Sequence, residues 1–380
     1  MARLEDICII NPKAPVLADD LEVSFVPMPK VGEQGEFDPS EIKEYREVKK
    51  GFTNFQNGDV LFAKITPCME NGKGAVAKDL KNGYGFGSTE FHVLRPDYSK
   101  VTSEWLYYLT SWNAFRKDAE SNMTGSAGQK RVPKTFLEKY EVNLPEVEKQ
   151  NEMADTLEYI GKLIALRKEQ LAKLDELVKS RFIELFGDPQ SNPYGYQYAK
   201  LSDIATYFNG LTYKPENVSE EGTIVLRSSN IQNSQLDFAD TVRVDCAIKE
   251  RLMVQENDIL MCSRNGSAKL VGKVALIKGI QEPMSFGAFM MIIRSQYFGY
   301  LMTYFQMDAF RQQIKTGATT TINQITGRML DDVTIPLPPM ALVDQFAAFV
   351  EQTDKSKLAI QESLAELETL KKALMQKYFG

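Results

Sequence analysis

A single histidine, His92, stands among the 380 residues of this chain. Imidazole-based catalytic triads need a histidine beside the nucleophile and most zinc sites need several, so neither chemistry fits the chain. His92 itself sits in Phe91-His92-Val93-Leu94, an apolar run that predicts a buried or half-buried strand residue. Cys8, Cys68, Cys246 and Cys262 are scattered, with no pair at metal-ligand spacing. They read as reduced structural thiols of a reducing compartment. No run reaches the roughly 18 apolar residues of a membrane span, and Met1-Ala2-Arg3-Leu4-Glu5-Asp6 lacks an apolar h-region. A cytoplasmic protein without membrane contact is the expectation. Net positive charge is missing too: 45 Lys and Arg face 51 Asp and Glu, a balance of −6. That argues against a protein that coats nucleic acid by itself, because non-specific affinity comes from neutralised phosphates. It leaves room for a reader that works inside a larger complex whose partners bring the positive charge.

Cofactor loops are absent as well. Gly266-Ser267-Ala268-Lys269-Leu270-Val271-Gly272-Lys273-Val274 has five residues between its glycines instead of four and no hydroxyl after Lys273, so it is not a phosphate loop. Gly83, Gly85 and Gly87 miss the dinucleotide fingerprint, with the third glycine one position early and a strand pattern following. Asn192-Pro193-Tyr194 lacks the second proline of the motif that holds the target amine in adenine methyltransferases, and reads as a turn.

What is present is a duplicated frame. Composition is ordinary for a globular protein, 43% hydrophobic and 25% charged, with length for two or three domains. Leu157, Ile164, Leu171, Val178 and Leu185 fall seven apart, with Ile160 and Leu174 widening the stripe and Arg167 and Arg181 interrupting it. This predicts a helix of about 35 residues, roughly 50 Å long, with a seam for another helix. Asn143-Leu144-Pro145 opens it and Phe186-Gly187-Asp188-Pro189 stops it. A second run after Ile335-Pro336-Leu337-Pro338-Pro339 places Phe346, Ile360, Leu367 and Leu374 on one face beside Val350 and Leu364. Leu174, Leu177 and Phe186-Gly187 recur 193 residues later as Leu367, Leu370 and Phe379-Gly380.

The spacing divides the chain into a globular part at 1–142, a long helix at 143–187, a second globular part at 188–334 and a second long helix at 335–380. Within the globular parts, Gly58-Asp59-Val60-Leu61-Phe62 answers Asn257-Asp258-Ile259-Leu260-Met261, and Phe91 through Arg95 answers Met290 through Arg294. Helical patterns follow at Glu104 to Asp118 and Lys134 to Tyr140. Since the first long helix leaves the first part and the second must run back, the two helices are expected to be antiparallel.

The polar loops recur at matching places. Lys64, Thr66, Asn71, Lys73, Gln129, Lys130 and Arg131 belong to the first part; Ser229, Asn230, Arg264, Asn265, Ser267, Thr319, Thr320 and Asn323 belong to the second. Arg and Lys suit guanine edges, Asn and Gln adenine edges, and Ser or Thr either a base or a phosphate. Lys64 and Arg264 are expected at equivalent strand exits, facing DNA.

The order Gly58-Asp59-Val60-Leu61-Phe62, Gly125-Ser126-Ala127, Leu144-Pro145-Glu146 with Gln150, and Phe186-Gly187-Asp188-Pro189 resembles the specificity subunit of type I restriction-modification enzymes. Asn257-Asp258-Ile259-Leu260, Pro336-Leu337-Pro338-Pro339 and Tyr378-Phe379-Gly380 repeat the pattern, with Gln345 two residues later than Gln150 would place it. The resemblance implies an α+β fold, with two α/β target-recognition domains and two long helices forming an antiparallel coiled coil. It implies a non-catalytic subunit that reads double-stranded DNA as two half-sites and docks two methyltransferase subunits, with restriction subunits in the full complex. No cofactor is then expected in this chain; S-adenosylmethionine, ATP and magnesium would belong to the partners. A coiled-coil scaffold that never binds DNA and a fused adenine methyltransferase are the competing readings. The missing cofactor loop counts against the second.

Overall fold

The computed structural model describes residues 1–126, 128–315 and 324–380. They form two compact units, Met1–Lys168 with Glu362–Gly380, and Glu169–Gln361.

In the first unit, Val60-Leu61-Phe62-Ala63 is apolar at every position because the strand is covered on both faces. It lies between Phe91–Pro96 and Gly74–Val76, with Cys8–Ile10 beyond Phe91–Pro96, all antiparallel. Alternation sends Val60, Phe62 and Leu94 to a core with Leu4, Trp105 and Leu137, while Leu61, Ala63 and Val93 meet Val26 and Phe55. A second sheet carries Glu22–Val26 parallel to Tyr84–Gly87, flanked by Ile42–Glu44 and Thr53–Gln56.

The second unit repeats this plan 199 residues on. The register pairs Val60↔Leu94 and Phe62↔His92 return as Ile259↔Ile293 and Met261↔Met291. Thr206–Asn209, Met290–Arg294, Ile259–Cys262 and Val274–Leu276 make its central sheet, and Thr223–Leu226 runs parallel to Met284–Phe286 in the other. One polar device is duplicated inside this frame. Asp59, 1% exposed, accepts both arms of Arg95 at 2.8 and 2.7 Å and the Gln56 amide at 2.7 Å. Asp258, fully buried, accepts Arg294 at 2.7 and 2.8 Å and the Gln255 amide at 2.8 Å. The turn before each aspartate needs a positive φ, supplied by Gly58 (87°) in one copy and Asn257 (68°) in the other.

Both long helices run 40 residues, Val147–Phe186 and Met340–Phe379, about 60 Å at 1.5 Å per residue. Their aromatic ends stay helical inside the cores. Phe186 packs on Tyr300 and Phe346 in the second unit, with ring centroids 5.0 and 5.3 Å away. Phe379 packs on Trp105 in the first at 5.4 Å. The helices are antiparallel: in the first unit Tyr378 and Phe379 pack against the core that holds Met153, while Ser363 accepts from Arg167 Nε at 3.2 Å. In the second, Lys357 pairs with Asp175 at 2.7 Å while Phe346 meets Phe182 at 5.6 Å. On the seam, Leu157, Ile160 and Phe346 are buried and Ile164, Leu171, Leu174, Val178, Val350, Ile360, Leu364, Leu367 and Leu374 are half-buried.

Two local expectations change. The helix expected from Glu104 to Asp118 is two, Ser103–Ser111 and Asn113–Ser121, broken where Trp112 turns extended (ψ 134°). Arg116 fills the break by donating Nε to the Thr110 carbonyl at 3.1 Å. The displaced Gln345 does not shift the second long helix. That helix begins 193 residues after its counterpart, and Val343, 1% exposed, takes the place of Gln150 while Gln345 faces water. Gln150 is fully buried and ties the first helix to its domain through the Thr102 amide and the Lys100 and Pro145 carbonyls.

Candidate nucleic-acid interface

In the first unit three segments are laced together where the chain leaves Val60–Ala63. Lys64 N donates to the Glu90 carbonyl at 2.9 Å, Val132 N to the Lys64 carbonyl at 2.9 Å, and Thr66 N to the Lys130 carbonyl at 3.0 Å. Lys64, Thr66, Gln129, Lys130 and Arg131 are thereby brought to one loop cluster. Below it His92, 4% exposed, donates Nε2 to the Val132 carbonyl at 2.8 Å; burial holds its pKa below the usual histidine value. Arg131 spends its fork on Glu90, Nε at 2.9 Å and Nη2 at 2.8 Å, and its third arm on the Gln129 carbonyl. Those hydrogen bonds hold the Glu90 carboxyl below its usual range, while burial pulls the neighbouring Lys64 ammonium down against the attraction of Glu90. Arg131 therefore positions the loop, and Lys64 and Lys130 are the cations left for a polyanion.

Asn71 and Lys73 do not join this cluster. Asn71 lines a separate cleft of about 760 Å³ with Arg116 and Trp112, and Lys73 Nζ donates to the Met28 carbonyl at 3.3 Å.

In the second unit Arg264, Asn265, Ser267 and Ser229 share one surface: Asn265 Nδ2 donates to Ser228 Oγ at 3.3 Å, Asn265 Oδ1 accepts from Ser267 N at 3.0 Å, and Ser228 and Ser229 line one cavity with Phe289. Arg264 is exposed, has no carboxylate partner among the described residues, and lies 5.5 Å over the Phe289 ring. Asn230 must be removed from the base-reading set. It is 1% exposed, and its amide is used up on Arg227 N and on the Asp237 and Asp240 carbonyls. Thr319, Thr320 and Asn323 lie outside the described residues.

The pairing of Lys64 with Arg264 also needs correction, by one residue. Ser263 N donates to the Phe289 carbonyl and Ile325 N to the Ser263 carbonyl, as Lys64 does with Glu90 and Val132. Ser263 is thus the counterpart of Lys64. Arg264, bridged to Gln324, corresponds to Ile65, bridged to Arg131. Among the described residues there is no group of three or more His, Cys, Asp and Glu that could hold a metal ion, and no helix long and apolar enough to cross a membrane.

The family profile described as the type I restriction modification DNA specificity domain matches residues 1–176 and again 193–370. The chain belongs to this specificity family. Among curated relatives it is 27% identical to the type I restriction enzyme EcoAI specificity subunit of Escherichia coli, over 92% of this chain and 76% of that one. It is 39% identical to the E. coli EcoEI specificity subunit over 55% of this chain, which spans about a third of that relative, 35%. The solved S subunit of a type I restriction-modification system from M. genitalium shares the fold with a TM-score of 0.59 at 14% identity, covering 100% of this chain and 95% of that one. A chain solved in a study of complex assembly and conformational transition of the type I system gives 0.58 at 18% identity, covering 99% and 96%.

Within the specificity-family frame, the sequence hid two site residues. Glu90 is 41 residues from the arginine it holds. Phe289 sits in Phe286-Gly287-Ala288-Phe289-Met290-Met291, which reads as continuous core strand. The 199-residue register was the available signal: it aligns Phe289 with Glu90, and a glutamate at that place marks a surface position.

Proposed function

We propose that this chain is a non-catalytic DNA-reading subunit. Each unit reads one half of a split double-stranded target, and the paired long helices set the separation and dock two methyltransferase subunits. Restriction subunits join in the full complex, and S-adenosylmethionine, ATP and magnesium belong to those partners. One observation carries the reading: a duplicated, register-matched frame presents unlike side chains at the same strand exit, Lys64 with Glu90 and Arg131 in one unit, Arg264 with Asn265 and Phe289 in the other. Two copies of a scaffold with divergent exposed loops are what two different half-sites require.

Exchange of residues 1–142 for the same part of a relative tests it. Methylome sequencing is expected to show one half of the modified motif changed and the other retained; a change in both halves, or in neither, overturns the modular reading.

Lys64→Ala and Arg264→Ala separate two kinds of contact. Lys64 is a single partly buried ammonium and is expected to act on phosphate, so its loss weakens all sequences alike and lowers the salt slope by about one. Arg264 presents an exposed fork with no carboxylate partner among the described residues, and its loss is expected to cost about 1–3 kcal/mol on the cognate site and to relax discrimination. Titrations at several salt concentrations, with unchanged binding by both variants, would return these loops to ordinary surface.

A further inference from the structure

The strand turn that carries Glu90 in the first unit carries Phe289 in the second, and Phe289 is 60% exposed. Single exposed apolar side chains are common; this one differs in how firmly it is held. Its backbone carbonyl accepts from Ser263 N at 3.0 Å, Arg264 N at 3.1 Å and Ser263 Oγ at 3.0 Å. Behind it Gly287 N donates to Leu226 O at 2.9 Å and Met290 N to Gly287 O at 2.8 Å. A cavity of about 380 Å³ opens beside the ring, lined by Leu211, Tyr213, Arg227 and Ser228 among others. The Arg264 guanidinium lies over the ring face.

A phenyl ring offers no hydrogen bond, so it cannot answer the donors and acceptors of a base edge, and it brings no charge to a phosphate. What it can do is cover apolar surface. In the major groove the only apolar group on a base edge is the thymine 5-methyl, and apolar side chains recognise it by contact. A guanidinium held over that ring by cation–π attraction is confined to its neighbourhood, which suits a fork aimed at the neighbouring purine. The matching turn of the first unit offers no such surface, because Glu90 is engaged by Arg131.

We infer that Phe289 is a specificity-determining residue of the second unit, covering the methyl group of a thymine in its half-site while Arg264 takes the adjacent purine. This rests on the DNA-reading function proposed above and names the chemistry by which one unit reads.

The test uses the full chain assembled with its methyltransferase subunits. Selection from random duplexes gives the motif, and each thymine of the second half-site is then replaced in turn by deoxyuridine, which lacks only the methyl. At one position wild-type binding is expected to weaken about fourfold, the worth of one buried methyl group. Phe289→Ala should bind the thymine and deoxyuridine duplexes equally, and Phe289→Leu should keep part of the difference. Wild-type insensitivity to every replacement, a second half-site without thymine, or full sensitivity retained in Phe289→Ala overturns the inference. Failure to enrich any sequence overturns the DNA-reading proposal with it, whereas sharp enrichment without thymine dependence overturns this inference alone. An unchanged melting temperature for Phe289→Ala, expected of a largely exposed ring, shows that any loss is not one of fold.

Discussion

Asp258→Ala is expected to cost the second unit about 3 kcal/mol of stability, the lower end of what breaking a buried ion pair costs. The aspartate is fully buried, and its removal leaves Arg294 a long hydrogen bond to the Met253 carbonyl at 3.4 Å and its place over the Phe208 ring, with no carboxylate partner among the described residues, and leaves the Gln255 amide without its acceptor. The lower end applies because the arginine side chain is 29% exposed, so water takes up part of the charge. For a unit of this size the loss corresponds to a melting shift of about 6–12 °C. Asp258→Asn should fall between, since an amide oxygen can still accept from Gln255 N. Hydrogen exchange tells where the damage lies: protection in Ile259–Cys262 should drop while Val60–Ala63 keeps its own, and Asp59→Ala should show the reverse. A shift worth less than about 1 kcal/mol, or loss of protection in both strands, would mean that the duplicated Asp–Arg pair does not anchor its own sheet.

The duplication was legible in the sequence because both halves must bury the same surfaces. The seven-residue spacing of Leu157, Ile164 and Leu171 and the return of Phe186 as Phe379 follow from a shared seam and shared aromatic ends. The antiparallel direction followed from connectivity alone. Side-chain assignments in the loops were less legible, since residue type says what a group can bond and not what has already claimed it. Asn230 has the amide that suits adenine, yet its loop turns it inward onto three backbone groups. Arg131 has the fork that suits guanine, yet Glu90 occupies it. The one-residue slip between Lys64 and Arg264 has a similar origin. Both cations follow a buried strand, and only the backbone partners on the adjacent turn reveal that Ser263 holds the place of Lys64. Trp112 broke a predicted helix without any proline or glycine to announce it.

Residues 1–188 alone are expected to form a twofold dimer and, with methyltransferase subunits, to direct methylation to a palindromic split site built from the first half-site twice. The first unit is completed by Glu362–Gly380, whose Phe379 packs on Trp105 and Trp112. A half-chain lacks that segment, but at the 193-residue spacing its own Glu169–Phe186 is the counterpart, and a second copy can supply it. Phe186 then takes the seat of Phe379, Leu171 and Leu174 those of Leu364 and Leu367, and Asp175 that of Glu368, preserving an acid for Lys168. Gln170 replaces Ser363 beside Arg167. Val178 replaces Lys371, whose ammonium burial holds below its usual pKa, so one unfavourable group disappears. The opposing substitution is Arg181 in the half-buried place of Leu374. In the full chain Arg181 pairs with Glu184 at 2.7 Å and lies over Phe349; in the self-pair Thr156 stands where Phe349 was, so the ring contact is lost. A partly desolvated arginine at each of two symmetric positions sets the weakness of the dimer, and Arg181→Leu is expected to tighten it by at least about tenfold, ~1.4 kcal/mol. Light scattering at tens of micromolar reads the first claim, and methylome sequencing of cells expressing the half-chain with its partners reads the second. A strict monomer that Arg181→Leu does not convert, with no methylation on adding partners, would show that the two halves are no longer interchangeable at the seam.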